Sequence, residues 1–253
     1  MTSLDTEIDH DTWAYGLPKL RSAGKVTLPE ICGVLPFDGV RNPITASNTS
    51  HKISLTYKTE ANGWRPKVGL VESGAELAVA EEALISPNIY DVEFQPVHFA
   101  YEYPTGKTRW HTIDLRLTLK SGLKRFVFVR NARSLGKPWV QDEINAIADA
   151  VPIREAHEFV VVEADAYSRP CRENLRRMHR LVAFQPDPVS DRLVEEAAYK
   201  LRTLWRMSDL HNCVDLPHSR IFQSCLRLIS AGKLGADLDA VICHHSRLWR
   251  AEP

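Results

Sequence analysis

Apolar and polar residues alternate most cleanly between Thr108 and Leu119. There Ile113, Leu115, Leu117 and Leu119 share one side, and Asp114, Arg116 and Thr118 the other. This is the period of a half-buried strand. Ser121-Gly122 turns it toward a second apolar run, Phe126 to Arg130. Upstream, Ile53–Tyr57, Pro66–Val71, Ile89–Phe94 and Val97–Tyr103 also read as strands. The Ala-, Glu- and Leu-rich stretch Ser73–Ile85 reads as a helix, with Ser73 as cap, Glu76 three residues on, and Pro87 to stop it. A further helix is expected over Val140–Ala150. After the strand-like Phe159–Val162 the pattern turns helical, over Arg172–Val182, Ser190–Trp205, His218–Ser230 and Leu234–Ala240, and Ile242–Trp249 closes as a short strand.

These elements divide the chain into three parts: an irregular, proline-punctuated arm over residues 1–50, an α/β domain over residues 51–152, and a mostly helical domain over residues 153–253. Formal net charge is zero, so any attraction for nucleic acid must be local. The five cysteines form no Cys-x-x-Cys pair, which fits reduced thiols. The acidic start Met1-Thr2-Ser3-Leu4-Asp5 lacks the apolar core of a signal peptide, and no run approaches the roughly 20 apolar residues of a membrane span. A cytoplasmic protein without a membrane partner is the expectation.

The order of certain runs is informative: Glu72-Ser73-Gly74-Ala75-Glu76-Leu77, Phe94-Gln95-Pro96, His111-Thr112-Ile113-Asp114-Leu115, then Phe126-Val127-Phe128-Val129-Arg130. This succession resembles the nuclease domain of the TnsA family, endonuclease subunits of heteromeric bacterial transposases within the PD-(D/E)XK superfamily. The resemblance implies a restriction-endonuclease-like α/β domain in which Glu76 is a helix carboxylate and Asp114 a strand carboxylate, both holding Mg²⁺. The acid and lysine of the motif fall at Phe128 and Arg130. The C-terminal stretches Arg172-Glu173-Asn174-Leu175, Thr203-Leu204-Trp205 and Leu226 to Leu238 resemble the same family's winged-helix-like domain. That implies DNA, a transposase and an ATPase regulator as partners.

Phosphodiester hydrolysis needs charge stabilised on phosphorus and water activated, which carboxylate-held Mg²⁺ supplies. Phe128 cannot bind a cation. Arg130 stays protonated and cannot act as a base, though it can contact phosphate. Cleavage is therefore expected to be weakened or lost, unless an acid such as Glu72 or Glu93 substitutes. An active Mg²⁺-dependent endonuclease and a DNA-binding regulator unconnected to transposition stand as alternatives. Taken alone, Glu76 reads as the third residue of a capping box, and Asp114 as a solvent-facing or Arg-paired strand residue.

Between Asp114 and Asp142 no acid occurs, while Arg116, Lys120, Lys124, Arg125, Arg130, Arg133 and Lys137 do. They form either a phosphate-attracting surface or a protected sheet edge. Arg172, Arg176 and Arg180 share a helical face, which is most simply solvated. The His211, Cys213, His218 and Cys243-His244-His245 spacings match no standard zinc site, so buried thiols with incidental histidines are expected.

Overall fold

The structure, a computed structural model, describes residues 29–43, 52–152 and 154–251. Most of the expected N-terminal arm, residues 1–28 and 44–50, lies outside the described residues. The chain is mixed α/β. Its first elements are β1 (Ile53–Tyr57) and β2 (Lys67–Val71), paired antiparallel, then helix α1 (Gly74–Ile85). Strands β3 (Ile89–Phe94), β4 (His98–Tyr103), β5 (Lys107–Thr112), β6 (Leu115–Leu119) and β7 (Lys124–Arg130) follow. A short helix α2 (Ala132–Leu135) and α3 (Pro138–Ala150) cross over to β8 (Glu158–Glu163). The central sheet runs β3-β6-β7-β8, antiparallel except for the parallel β7–β8 pair, while β4 and β5 form a separate two-stranded ribbon.

The period-two pattern of β7 sorts this half into two cores. Val127 and Val129 face α1, with Leu77, Ala80, Val92 and Leu115; Phe126 and Phe128 face α3, with Ile144, Ile147, Phe99 and Tyr101.

The C-terminal part packs α4 (Arg169–Phe184), α5 (Pro188–Lys200) and α6 (His218–Ser230) around Leu175, Met178, Val194 and Leu226, closed by the antiparallel ribbon β9 (Leu234–Ala236) with β10 (Leu248–Arg250). Ala78 of α1 belongs to this third core, so α1 lies against both halves. Among the described residues no helix is long and apolar enough to cross a membrane.

Three expectations need correction. The single strand Thr108–Leu119 is two strands broken at Asp114: Ile113 packs on the α3 side and Leu115 on the α1 side, so they do not share a face. The cause lies opposite. Between the pairs Phe94↔Leu115 and His98↔Thr112, four steps on one chain (94 to 98) face three on the other (115 to 112). Gln95, in the left-handed region at φ 50°, takes up the mismatch as in a β-bulge. Second, Leu234–Ala240 is not a helix. Gly232 at φ 69° ends α6, with its N–H on Ile229 O and the Lys233 N–H on Leu228 O. The chain then extends to pair with β10, and glycine is required at 235 because a Cβ there would lie 2.1 Å from Trp249 Nε1. Third, the closing strand is confined to Leu248–Arg250, shorter than the expected Ile242–Trp249.

Candidate functional site

Ser73 caps α1, accepting from the Glu76 N–H at 3.1 Å, and its hydroxyl donates to Glu76 Oε1 at 3.0 Å. Glu76 Oε2 accepts from the Glu72 N–H at 2.9 Å. The capping reading of Glu76 is thus satisfied locally, yet the side chain is also buried beside Asp114. The bend after β5 buries Asp114, whose Oδ2 accepts from the Val129 N–H at 2.9 Å. Burial, then the neighbouring Glu76, pushes the Asp114 carboxyl up to about 7, with Arg130 opposing. Burial also raises Glu76, against its two hydrogen bonds. The Glu76 carboxylate thus makes Asp114 harder to ionise.

Phe128 and Arg130 share a face of β7, as their spacing requires. Phe128 is buried, and the Arg130 guanidinium lies over its ring at 3.6 Å, with Nη1 3.9 Å from Asp114 Oδ2 and 2.8 Å from Val129 O. Aromatic face, carboxylate and carbonyl thus hold one planar cation.

Four further residues complete the surroundings, and sequence reasoning gave them no settled role. His111 points its edge at the Phe128 ring, centroids 4.8 Å apart, and its buried Nε2 has no hydrogen-bond partner. Burial, followed by Arg130, lowers its pKa to about 4, so the imidazole is neutral at pH 7. Gln95 is buried with Oε1 unpartnered, while its N–H donates to Asp114 O at 3.0 Å and its carbonyl accepts from Val40. Arg41 pairs with Glu72, and Lys52 lies 3.8 Å from the same carboxylate. Gln95 and His111 stand in the informative runs, but nothing in their residue type announces an orphaned polar atom. Arg41 arrives from the arm, which no local pattern predicts.

The substitute acids are both engaged. Glu72 precedes the cap and lies outside α1, held by Arg41. Glu93 is gripped by Arg116 through two hydrogen bonds of 2.6 Å. Among the described residues no group of three or more His, Cys, Asp or Glu is placed to hold a metal ion. Both Glu76 oxygens and one of Asp114 already accept protein donors, and Arg130 supplies the local positive charge.

Acids from elsewhere in the chain neutralise part of the acid-free basic stretch. Arg116 bonds Glu93 and Glu155, Arg125 pairs with Glu158 at 2.7 Å, and Lys120 lies 3.7 Å from Glu60. Lys124 is half-buried, whereas Arg133 and Lys137 are exposed. On α4, Arg172 bonds the carbonyls of Tyr167 and Ala164, and Arg176 lies 3.9 Å from Glu81. The expected solvated stripe is therefore partly a packing device. In the histidine group, His211 Nε2 meets His244 Nδ1 at 3.1 Å and stacks on His218, while Cys213 and Cys243 are exposed, not buried as expected. A cleft of about 680 Å³ lies between α1, the sheet and α4; it is lined by Val79, Val127, Val162 and Met178 and includes neither carboxylate nor Arg130. No protein-family model and no curated protein sequence matches the chain.

Proposed function

We propose that the chain is a DNA-binding protein built on a PD-(D/E)XK-like domain followed by a winged-helix-like helical domain, acting with a transposase and its ATPase regulator, with strand cleavage weakened or lost. The observation that carries this reading is the position of Arg130. Its fixed guanidinium lies beside the buried Glu76–Asp114 pair and has the planar donor fork that suits a phosphodiester oxygen. A cation built into the protein in this way binds phosphate without activating water. The order of helix acid, strand acid and paired strand positions supports the fold type. The partner assignment rests on the TnsA resemblance alone.

A second reading, an active Mg²⁺-dependent endonuclease, draws on the raised carboxyls of Glu76 and Asp114. A raised carboxyl loses its proton as pH rises, and the pair then gains charge for a divalent ion. Supercoiled-plasmid nicking and DNA binding, measured across pH with and without Mg²⁺, separate the two. Salt-sensitive binding weakened by Arg130→Ala, without nicking, supports the first reading. Metal-dependent nicking abolished by Asp114→Ala establishes the second. Absence of DNA binding by wild type, alone and with candidate partners, refutes both.

A further inference from the structure

Two segments without an acid meet in the C-terminal part. Residues 197–208 carry Lys200, Arg202 and Arg206, and residues 240–251 carry His244, His245, Arg247 and Arg250. They join in an antiparallel bridge at Arg206 and Arg247. The Leu248 N–H donates to Trp205 O at 3.0 Å and the Met207 N–H to Ser246 O at 3.2 Å, so the two arginines form a non-hydrogen-bonded pair. Such a pair brings the Cα atoms to about 4.5 Å and sends both side chains to one face. Like charges opposed in this way disfavour the fold. Both arginines are exposed, and among the described residues neither they nor exposed Arg202 makes a salt bridge. Asp209 lies nearby, but its Oδ2 accepts from the N–H groups of Arg206 and Trp205, at 2.9 and 3.0 Å. Those bonds, and less strongly the Arg206 charge, hold its carboxyl below the ordinary range. The contrast is with the basic stretch of the sheet, where four glutamates return much of the charge.

We propose that Arg206 and Arg247 clamp a phosphate of a DNA backbone. This rests on the DNA-binding reading above and gives that DNA a contact on the helical part of the chain. An anion between the two guanidiniums removes the repulsion that the fold leaves in place. A carboxylate is met by the fork of a single arginine, whereas a row of phosphodiesters suits several arginines side by side, and Arg202 stands on the same segment. Two indoles border the pair. Trp249 follows Arg247 by two residues, on the same face, and is 43% exposed; Trp205 is 60% exposed, with the Arg247 guanidinium 5.8 Å from its ring centre. Flat rings beside a phosphate contact suit sugars and bases. A protein partner would instead seat its anchors in a pocket, and the clefts of about 680 and 390 Å³ beside α1 include none of these residues.

The test is fluorescence anisotropy of a labelled DNA duplex across a salt series, with wild type, the double variant Arg206→Gln with Arg247→Gln, and the double variant Arg206→Lys with Arg247→Lys. The glutamine variant is expected to weaken binding by roughly five- to fiftyfold and to make the dependence of log affinity on log salt shallower by about one. The lysine variant keeps the charge and therefore the salt dependence. In low-salt thermal melts the glutamine variant should be no less stable than wild type, because an opposition of like charges is removed. Unchanged affinity and salt dependence in the glutamine variant overturn the clamp while the DNA-binding reading stands. A glutamine variant that keeps DNA but loses a labelled polyglutamate peptide also overturns it, and assigns the face to an acidic protein. If wild type binds no DNA, the clamp falls together with that reading.

Discussion

Helix α1 carries two buried carboxylates, Glu76 near its start and Glu81 in its middle, and they are buried in different ways. Glu76 is satisfied by Ser73 and the Glu72 N–H and sits among charged neighbours, with Asp114 and Arg130 beside it. Glu81 lies at the seam with α4; burial raises it to about 7, and the nearest opposing charge is half-exposed Arg176 at 3.9 Å. Burial acts on both, but only Glu76 belongs to a converging set of acids, a fixed cation and unpartnered polar atoms. The comparison shows that an elevated carboxyl does not by itself mark a site. The company it keeps does.

The harshest way to break the site half is Phe128→Ala. It removes a core ring and the surface on which Arg130 rests, at an expected cost of about 3–5 kcal/mol, read from the denaturant midpoint. Asp114→Asn tests the raised carboxyl of the site. Burial pushes the folded carboxyl up to about 7, against 3.8 for the ordinary group. Below pH 4 both states are protonated and nothing is lost. As pH rises toward 7 only the unfolded chain ionises, so the wild type loses stability. Asp114→Asn is therefore expected to be more stable than wild type at pH 8, by on the order of 1–3 kcal/mol, with the gap closing by pH 4 in thermal melts.

Glu81→Gln and Glu76→Gln sharpen the contrast within α1. Glu81→Gln should follow the Asp114→Asn pattern, stabilising by about 1 kcal/mol at pH 8 and not at pH 4. Glu76→Gln keeps a single acceptor oxygen where two are bonded, so it should be neutral or destabilising by about 1 kcal/mol at pH 8. Equal gains in both variants would erase the distinction drawn here. Arg176→Ala, at a half-exposed position, should cost less than about 1 kcal/mol in the same melts.

Much of this was legible in the chain. The helix Ser73–Ile85 with its cap, the strands Ile53–Tyr57 and Ile89–Phe94, and the helix His218–Ser230 follow from local periodicity and stop signals. The shared face of Phe128 and Arg130 follows from their spacing. What escaped was tertiary. The acid-free stretch from Arg116 to Lys137 looked strongly basic because Glu60, Glu93, Glu155 and Glu158 are distant in sequence and adjacent in space. The placement of Arg41 depends on the Leu35 and Val40 backbone joining Pro66 and Gln95, contacts that no local pattern encodes. Orphaned Nε2 and Oε1 atoms exist only once neighbours have closed around them.

The mismatch opposite Asp114 has a consequence for how portable this arrangement is. One stretch of chain serves the α3 core through Ile113 and the α1 core through Leu115, and the carboxylate sits where it changes allegiance. Gln95 and Pro96, which carry no acid chemistry, set that change through the extra step on their side. An aspartate grafted onto a straight strand of another scaffold would keep its charge but take its direction from an unbroken pleat. To move the acid, a designer would have to move the kink and its silent partners as well.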